Sequence, residues 1–323
     1  MATTNARMLV SDASQLIGNT PMLELKHIFG NSSARILAKM ESFNPTSIKD
    51  RAVLNMIRIA MQQGKITKDS EVVEASSGNT AIAIASLGAV MGYKTRIYMS
   101  ELCSIERQQI LCAYGAKVIL TPGIEHTKGA RDRAIAYCEE NSATAFFLNQ
   151  HSNENNGQSH FLSTGPEIWE QTAGKIDAVV IALGTCGTFD GLSRFFKSKN
   201  PDIKIIGYEP AGSPVYSGGL QGKHKITGAG PGFITDNFKR SEQYLDEIVL
   251  VEDEEAFDTA RQVALKEGVL IGPTSGASIW VAGQLAQRAE YKGKTIICFV
   301  YDTGERYLST PGLFPADNVE KVE

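Results

Sequence analysis

The 323-residue chain is poor in cysteine: only Cys103, Cys112, Cys138, Cys186 and Cys298 are present, with no C-x-x-C pair. An odd number cannot be bridged internally, which excludes a closed disulfide framework and fits reduced thiols in a cytosolic compartment. Cys103 and Cys112 flank a stretch that reads as helical, which favours packing over a redox pair. Histidine is equally sparse: His27, His126, His151, His160 and His224 lack the spacing of zinc ligands, so no metal centre is expected. Charge of one sign is missing too. The 32 basic and 36 acidic residues leave a formal net charge of -4, and no basic run could track a phosphate backbone, which argues against nucleic acid as a partner. No apolar run approaches the roughly 20 residues that span a bilayer. The opening Met1-Ala2-Thr3-Thr4-Asn5-Ala6-Arg7 has no apolar signal core, so a cytoplasmic location without a membrane partner is expected.

What is present is enough apolar material for two cores, 42% of the residues. Short apolar runs at Arg35 to Met40, Glu71 to Glu74, Lys94 to Met99, Lys117 to Leu120 and Phe146 to Leu148 read as buried strands. Stretches of helical period separate them, such as Arg51 to Gln63 and Ala81 to Met91. A second series follows. Strands are expected at Ala178 to Leu183, Lys204 to Tyr208 and Thr295 to Tyr301, with helices near Thr188 to Ser198, Asp253 to Glu267 and Ala277 to Arg288. This alternation predicts an α/β fold with parallel-type sheets in two units, and no solenoid repeat or low-complexity linker interrupts it. Open α/β sheets bind ligands at the carboxyl ends of their strands, so the active site is expected in the cleft between the units. Ala211 to Asp236 resists the pattern; it holds seven glycines, and a long loop of this kind within a compact domain is usually functional.

Three segments carry chemistry. Lys49, in Asn44-Pro45-Thr46-Ser47-Ile48-Lys49-Asp50-Arg51, stands at a helix start, where burial and nearby dipoles favour the neutral amine, a nucleophile towards aldehydes. Gly184-Thr185-Cys186-Gly187-Thr188 follows a buried strand and opens a helix, so its amides and hydroxyls converge with the positive end of the helix dipole behind them. That arrangement is a phosphate cup. It is neither a Walker A loop nor a dinucleotide fingerprint, because the required lysine and glycine spacings are absent. Ser76-Ser77-Gly78-Asn79-Thr80 also lies between a strand and a helix start and offers donors to an anion.

With Ile17-Gly18-Asn19-Thr20-Pro21-Met22, Gly272-Pro273-Thr274-Ser275-Gly276-Ala277 and the run from Asp302 to Thr310, these make six strings in one order. The chain resembles the cysteine synthase (O-acetylserine sulfhydrylase) family of pyridoxal phosphate enzymes, fold type II. The resemblance runs nearly end to end. It implies a two-domain protein: a smaller α/β domain of residues 46–155, and a larger one of residues 1–45 with 156–323. It implies that Lys49 forms the internal Schiff base with pyridoxal 5'-phosphate and that Gly184, Thr185, Cys186, Gly187 and Thr188 hold the phosphate. Asn79 would meet the ring hydroxyl, and a hydroxyl of Thr274 or Ser275 the ring nitrogen, leaving it unprotonated. Ser76, Ser77, Asn79, Thr80, Gln150 and Gly230 would bind the substrate. Relatives usually have glycine where Cys186 stands and lack the acid at Asp190, so Cys186 is expected to add a side chain near the phosphate.

The implied reaction is β-elimination and β-replacement through an aminoacrylate, in the commonest members O-acetylserine plus sulfide to cysteine plus acetate. Asp236 opens an alternative, because the family rarely places an acid there. A carboxylate raised by burial could act as base on water and turn the enzyme into a cysteine hydroxyl-lyase releasing serine and hydrogen sulfide. As a bland reading, Asp236 is a helix N-cap or turn residue. A non-catalytic regulatory relative is the remaining class. The implied partners are a small amino acid, sulfide, thiol or water, and a second copy of the chain in a homodimer.

Overall fold

The computed structural model describes residues 9–30 and 32–316. Ten strands form two sheets: β1 (Met22–Glu24), β2 (Arg35–Met40), β3 (Glu71–Ala75), β4 (Lys94–Ser100), β5 (Lys117–Thr121), β6 (Ala145–Phe147), β7 (Ala178–Ala182), β8 (Lys204–Pro210), β9 (Glu247–Val251) and β10 (Thr295–Val300). The larger sheet runs β1-β2-β10-β7-β8-β9 and the smaller β5-β4-β3-β6. Only β1 pairs antiparallel, Leu23 facing Ala38; every other pairing is parallel, with Val179 beside Ile205 and Val73 beside Arg96. Central strands such as Ala-Val-Val-Ile-Ala in β7 are buried on both faces, which is why they read as continuous apolar runs.

The helices are α1 (Lys49–Gln62), α2 (Asn79–Met91), α3 (Ile105–Ala113), α4 (His126–Glu140), α5 (Glu154–Ser159), α6 (Gly165–Gln171), α7 (Gly187–Lys199), α8 (Asp236–Lys239), α9 (Asp253–Glu267) and α10 (Pro273–Ala286). Between α5 and α6 the chain makes a π turn over His160–Thr164, a wide turn that often marks functional sites. Each sheet has its own apolar core. One joins Ile36, Val180, Phe189, Phe196, Ile279 and Phe299, and the other Val53, Ile57, Val72, Ile84 and Ile97.

The expected strands and helices are all present, with ends shifted by a few residues. The additional strands β1 and β9 lie at the edges of the larger sheet; β1 is short and half-exposed, whereas β9, Glu-Ile-Val-Leu-Val, carries an apolar run of its own. Among the described residues no helix is long and apolar enough to cross a membrane. The segments after β3, β6, β7 and β10 leave the carboxyl ends of their strands and supply Asn79, Gln150, the Gly184 loop and Asp302, while Lys49 follows β2 and Thr274 opens α10.

Candidate functional site

A cavity lies among Ile48, Lys49, Asn79, Ala182, Gly184, Thr185, Cys186, Thr188, Thr227, Gly228, Thr274, Tyr301 and Asp302. Lys49 is the first residue of α1. The turn ahead of it is fixed by Asp50, which is buried and accepts from Thr46 N at 2.7 Å, from Ser47 N at 3.2 Å and from the Thr46 hydroxyl. Part of the Lys49 side chain is accessible through the cavity, yet the dense surrounding protein pulls its pKa down, with Cys186 and Asp302 acting the other way. The positive end of α1 opposes the charged form as well. A lysine so placed offers a larger neutral amine fraction than a solvated one.

The Gly184 to Thr188 segment joins β7 to α7 as expected, and Gly184, Thr185, Cys186 and Thr188 line the cavity while Gly187 does not. Two glycines here have no room for a side chain. A Cβ at Gly184 would meet the Gly228 carbonyl at 2.3 Å, and one at Gly187 would meet Asn156 Oδ1 at 1.8 Å. Cys186 departs from expectation. Its backbone is left-handed, φ 58°, and its thiol turns into the core, with Sγ 3.2 Å from the Tyr216 hydroxyl and 3.5 Å from the Gly184 carbonyl. Burial pushes that thiol up to about 12, so it is neutral. Glycine suits this conformation. Thr188 is braced from behind by His160, whose Nε2 lies 3.3 Å from its hydroxyl and whose Nδ1 lies 2.9 Å from Thr164. Burial holds His160 well below its usual range, in its neutral form.

Of the two hydroxyls at the start of α10, only Thr274 reaches the cavity. Its Oγ1 donates to the Thr227 carbonyl at 2.5 Å. Ser275 is fully buried behind it and accepts from Tyr301 N at 2.9 Å, so it braces the strand end instead. Asp302, one residue past Tyr301, was part of a motif but was given no role by sequence reasoning. It is buried, and its Oδ2 accepts from Asn79 Nδ2 at 2.6 Å and from the Tyr307 hydroxyl at 2.5 Å. Its Oδ1 has no hydrogen-bond partner. Arg306 Nη1 donates to Asn79 Oδ1 at 2.7 Å, which fixes the orientation of that amide.

The Ser76 to Thr80 turn joins β3 to α2, with Ser76 N bonded to the Tyr98 carbonyl at 3.2 Å. Asn79 enters the cavity; Ser76, Ser77 and Thr80 stand outside its lining. Thr80 Oγ1 donates to Gln150 Oε1 at 2.5 Å, so the structure does bring Gln150 to this turn. Two asparagines missed in the sequence tie it to the cup. Asn237 Nδ2 donates to the carbonyls of Gln150 at 2.9 Å and Thr185 at 2.8 Å, and Asn156 Nδ2 donates to the Gln150 carbonyl at 2.8 Å. Gly230 does not line the cavity; Gly228 of the same loop does, with φ 116° and room only for hydrogen beside Thr274 Oγ1.

Asp236 differs most from its expected setting. Burial does not raise it: its side chain is 55% exposed, and the Ser152 hydroxyl, donating at 2.7 Å, leads the groups that lower its pKa. It is the first residue of α8, whose N-cap is Thr235, and it lies outside the cavity lining. Among the described residues no cluster of His, Cys, Asp and Glu could hold a metal ion.

A phosphorylated pyridine aldehyde fits these residues: the crowded glycine loop at a helix start would suit its phosphate, and the depressed amine its aldehyde. The family model described as "Pyridoxal-phosphate dependent enzyme" matches residues 13–302. A cysteine synthase of Staphylococcus aureus is 42% identical over 308 residues, 95% of this chain and 98% of that protein. The crystal structure of cysteine synthase from Entamoeba histolytica superposes with a TM-score of 0.91 at 39% identity, covering 96% of this chain and 92% of that one. A hydrogen sulfide-producing enzyme from Fusobacterium nucleatum gives a TM-score of 0.87 at 38% identity over 93% of this chain and 99% of its own.

Proposed function

The chain belongs to the family of pyridoxal-phosphate dependent enzymes, and from that premise we propose that it makes cysteine from O-acetylserine and sulfide by β-replacement. The observation that carries this reading is the Lys49 amine, depressed by burial and opening onto the cavity that the Gly184 loop lines. The extended similarity to cysteine synthases supports the same substrate class.

Pyridoxal phosphate, when bound, supplies the electron sink that allows an α-proton and a β-substituent to leave. Gly184, Thr185, Gly187 and Thr188 would hold its phosphate, and Asn79 and Thr274 its ring. Lys49 Nζ would hold the aldehyde carbon and, as a neutral amine, would serve as the base for the α-proton. The turn at Ser76, Ser77, Asn79 and Thr80, with Gln150 bonded to it, orients the substrate carboxylate at the N-terminus of α2. By the resemblance we further assign residues 46–155 and residues 1–45 with 156–323 to two domains, the chain to a homodimer and its location to the cytoplasm. The separate cores of the two sheets support the division.

Similarity to the hydrogen sulfide-producing enzyme favours a second reading, in which cysteine plus water gives serine and hydrogen sulfide. Asp236 would then act as base from the exposed position where Ser152 holds it. The deciding experiment supplies pyridoxal phosphate with O-acetylserine and sulfide, or with cysteine alone, to wild type, Lys49→Ala and Asp236→Asn. Cysteine formation in wild type and Asp236→Asn, lost in Lys49→Ala, is the expected result. Rapid sulfide and serine from cysteine, lost in Asp236→Asn, would establish the second reading instead.

A further inference from the structure

We propose that Tyr216 is a positioning residue for the cofactor phosphate: it occupies the Gly184 carbonyl from outside the cup, so that the loop presents N–H groups to the anion. The inference rests on the cofactor reading above and deepens it. A backbone loop holds an anion only where its amides converge and its carbonyls do not. Four consecutive carbonyls at the end of β7 are each committed to a donor. Gly230 N reaches the Leu183 carbonyl at 2.9 Å, the Tyr216 hydroxyl the Gly184 carbonyl at 3.0 Å, Asn237 Nδ2 the Thr185 carbonyl at 2.8 Å and Asp190 N the Cys186 carbonyl at 2.8 Å. None of the four donor residues lines the cavity. Among the described residues the amides of Thr185, Cys186 and Thr188 meet no acceptor, and that of Gly187 meets only the Thr185 hydroxyl at 3.5 Å. Unpaired donors beside occupied carbonyls point to an anionic ligand.

Gly230 and Asp190 donate through their backbone, which most residues could supply, so the sequence-specific donors are Tyr216 and Asn237. Asn237 also serves the Gln150 carbonyl, which leaves Tyr216 as the side chain whose proton serves the cup alone. A carbonyl can only accept, so the phenol proton lies on the bond to Gly184, and the phenol oxygen is left to accept from the Cys186 thiol 3.2 Å away. Burial first, and then the neighbouring Cys186, raise the Tyr216 pKa, so the phenol keeps its proton. The tyrosine is itself held in place. Glu209, fully buried, accepts from Tyr216 N at 2.8 Å, and the Phe238 ring packs against the phenol with centroids 4.6 Å apart. Three of the four donors thus come from the stretch between Ala211 and Asn237, which makes that stretch the outer wall of the phosphate cup.

The test titrates wild type and Tyr216→Phe with pyridoxal phosphate and with pyridoxal, which has the aldehyde but no phosphate, and follows the visible absorption of the bound aldehyde. Leaving the buried Gly184 carbonyl without its donor should weaken pyridoxal phosphate about 10-fold and leave the affinity for pyridoxal unchanged. Cys186 Sγ lies 3.5 Å from the same carbonyl and is a substitute donor in reach, so the double variant Cys186→Gly/Tyr216→Phe is titrated beside the single one. An equal loss for both ligands, or no loss in the double variant, removes Tyr216 from the role. A further measurement needs no variant to fold: in wild type, amide exchange across residues 211–237 should slow more with pyridoxal phosphate than with pyridoxal, and equal slowing overturns the proposal. Failure of wild type to take up pyridoxal phosphate at Lys49 overturns the functional reading itself, and the inference with it.

Discussion

Cys186 sits at φ 58° with its thiol buried against Tyr216, so a side chain and a backbone preference pull in opposite directions at one position. Left-handed backbone costs a non-glycine residue about 1 kcal/mol or more. Cys186→Ala keeps that cost and loses the thiol contact, whereas Cys186→Gly relieves it. Urea midpoints should therefore rank Cys186→Gly above Cys186→Ala by about 1 kcal/mol, the reverse of the order in ordinary helix or strand positions. Glu74 gives a pH-dependent case. Its side chain is buried at the end of β3, where burial raises its pKa from 4.5 to about 7 despite hydrogen bonds from Ala75 N and Gln150 N. Folded Glu74 keeps its proton up to about 7, while an unfolded glutamate loses it above about 4.5. Its contribution is thus fully present below the lower value and lost as pH rises through the upper one. Relative to Glu74→Gln, wild type should lose up to about 3 kcal/mol of stability across that window, read from denaturation midpoints at successive pH values.

The helix that begins with Lys49 is braced to the larger sheet by a buried ionic network. Arg51, in the first turn of α1, donates to both oxygens of Glu41 at 2.6 and 2.9 Å and to both oxygens of Glu167 at 2.6 and 2.7 Å. Lys39, fully buried in β2, reaches Glu167 at 2.8 Å and the Thr20 carbonyl at 2.6 Å. Burial alone would raise Glu167, but Arg51 and Lys39 hold it down at about 2. The Ile17 to Met22 signature belongs to this brace: Gly18 N donates to Asn44, Asn19 N to Glu167 and the Thr20 hydroxyl to Glu41. Removing one partner from a buried network leaves a charge uncompensated. Glu167→Gln should cost about 3 to 5 kcal/mol, visible as a lower midpoint in thermal or urea unfolding. Because α1 carries Lys49, the same variant should bind pyridoxal phosphate more weakly even where it remains folded.

At the scale of the molecule, the cavity draws on both sheets: Asn79 follows the smaller one, while Thr185, Asp302 and Thr274 come from elements of the larger one. Asn237 and Asn156 join the Gln150 turn to the Gly184 loop across this boundary. A ligand that touches both sets binds the folded chain and not the unfolded one, so mass action stabilises the fold. Pyridoxal phosphate at about 100 times its dissociation constant should add about 2.7 kcal/mol, measured as a raised urea midpoint that is absent in Lys49→Ala. Asn237→Ala, which frees two carbonyls at the boundary, should raise KM for the amino acid more than it lowers kcat.

The sequence by itself determined the alternation of strands and helices, because buried parallel strands and amphipathic helices have distinct periods. It also determined the family and pointed to Lys49, Asn79 and the Gly184 loop, because the strings that carry the resemblance are runs of consecutive residues. Other features were decided only in three dimensions. Edge strand β1, three residues long, carries little pattern of its own and is specified by the neighbour it pairs with. Whether Thr274 or Ser275 faces the cavity depended on the phase of α10 against β10. The exposure of Asp236 and the inward turn of the Cys186 thiol followed from where α8 and Tyr216 pack. Asp302 became part of the site only when β10 and α2 met, since a carboxylate's role depends on which donors surround it, and those lie 223 residues away at Asn79 as well as nearby at Tyr307.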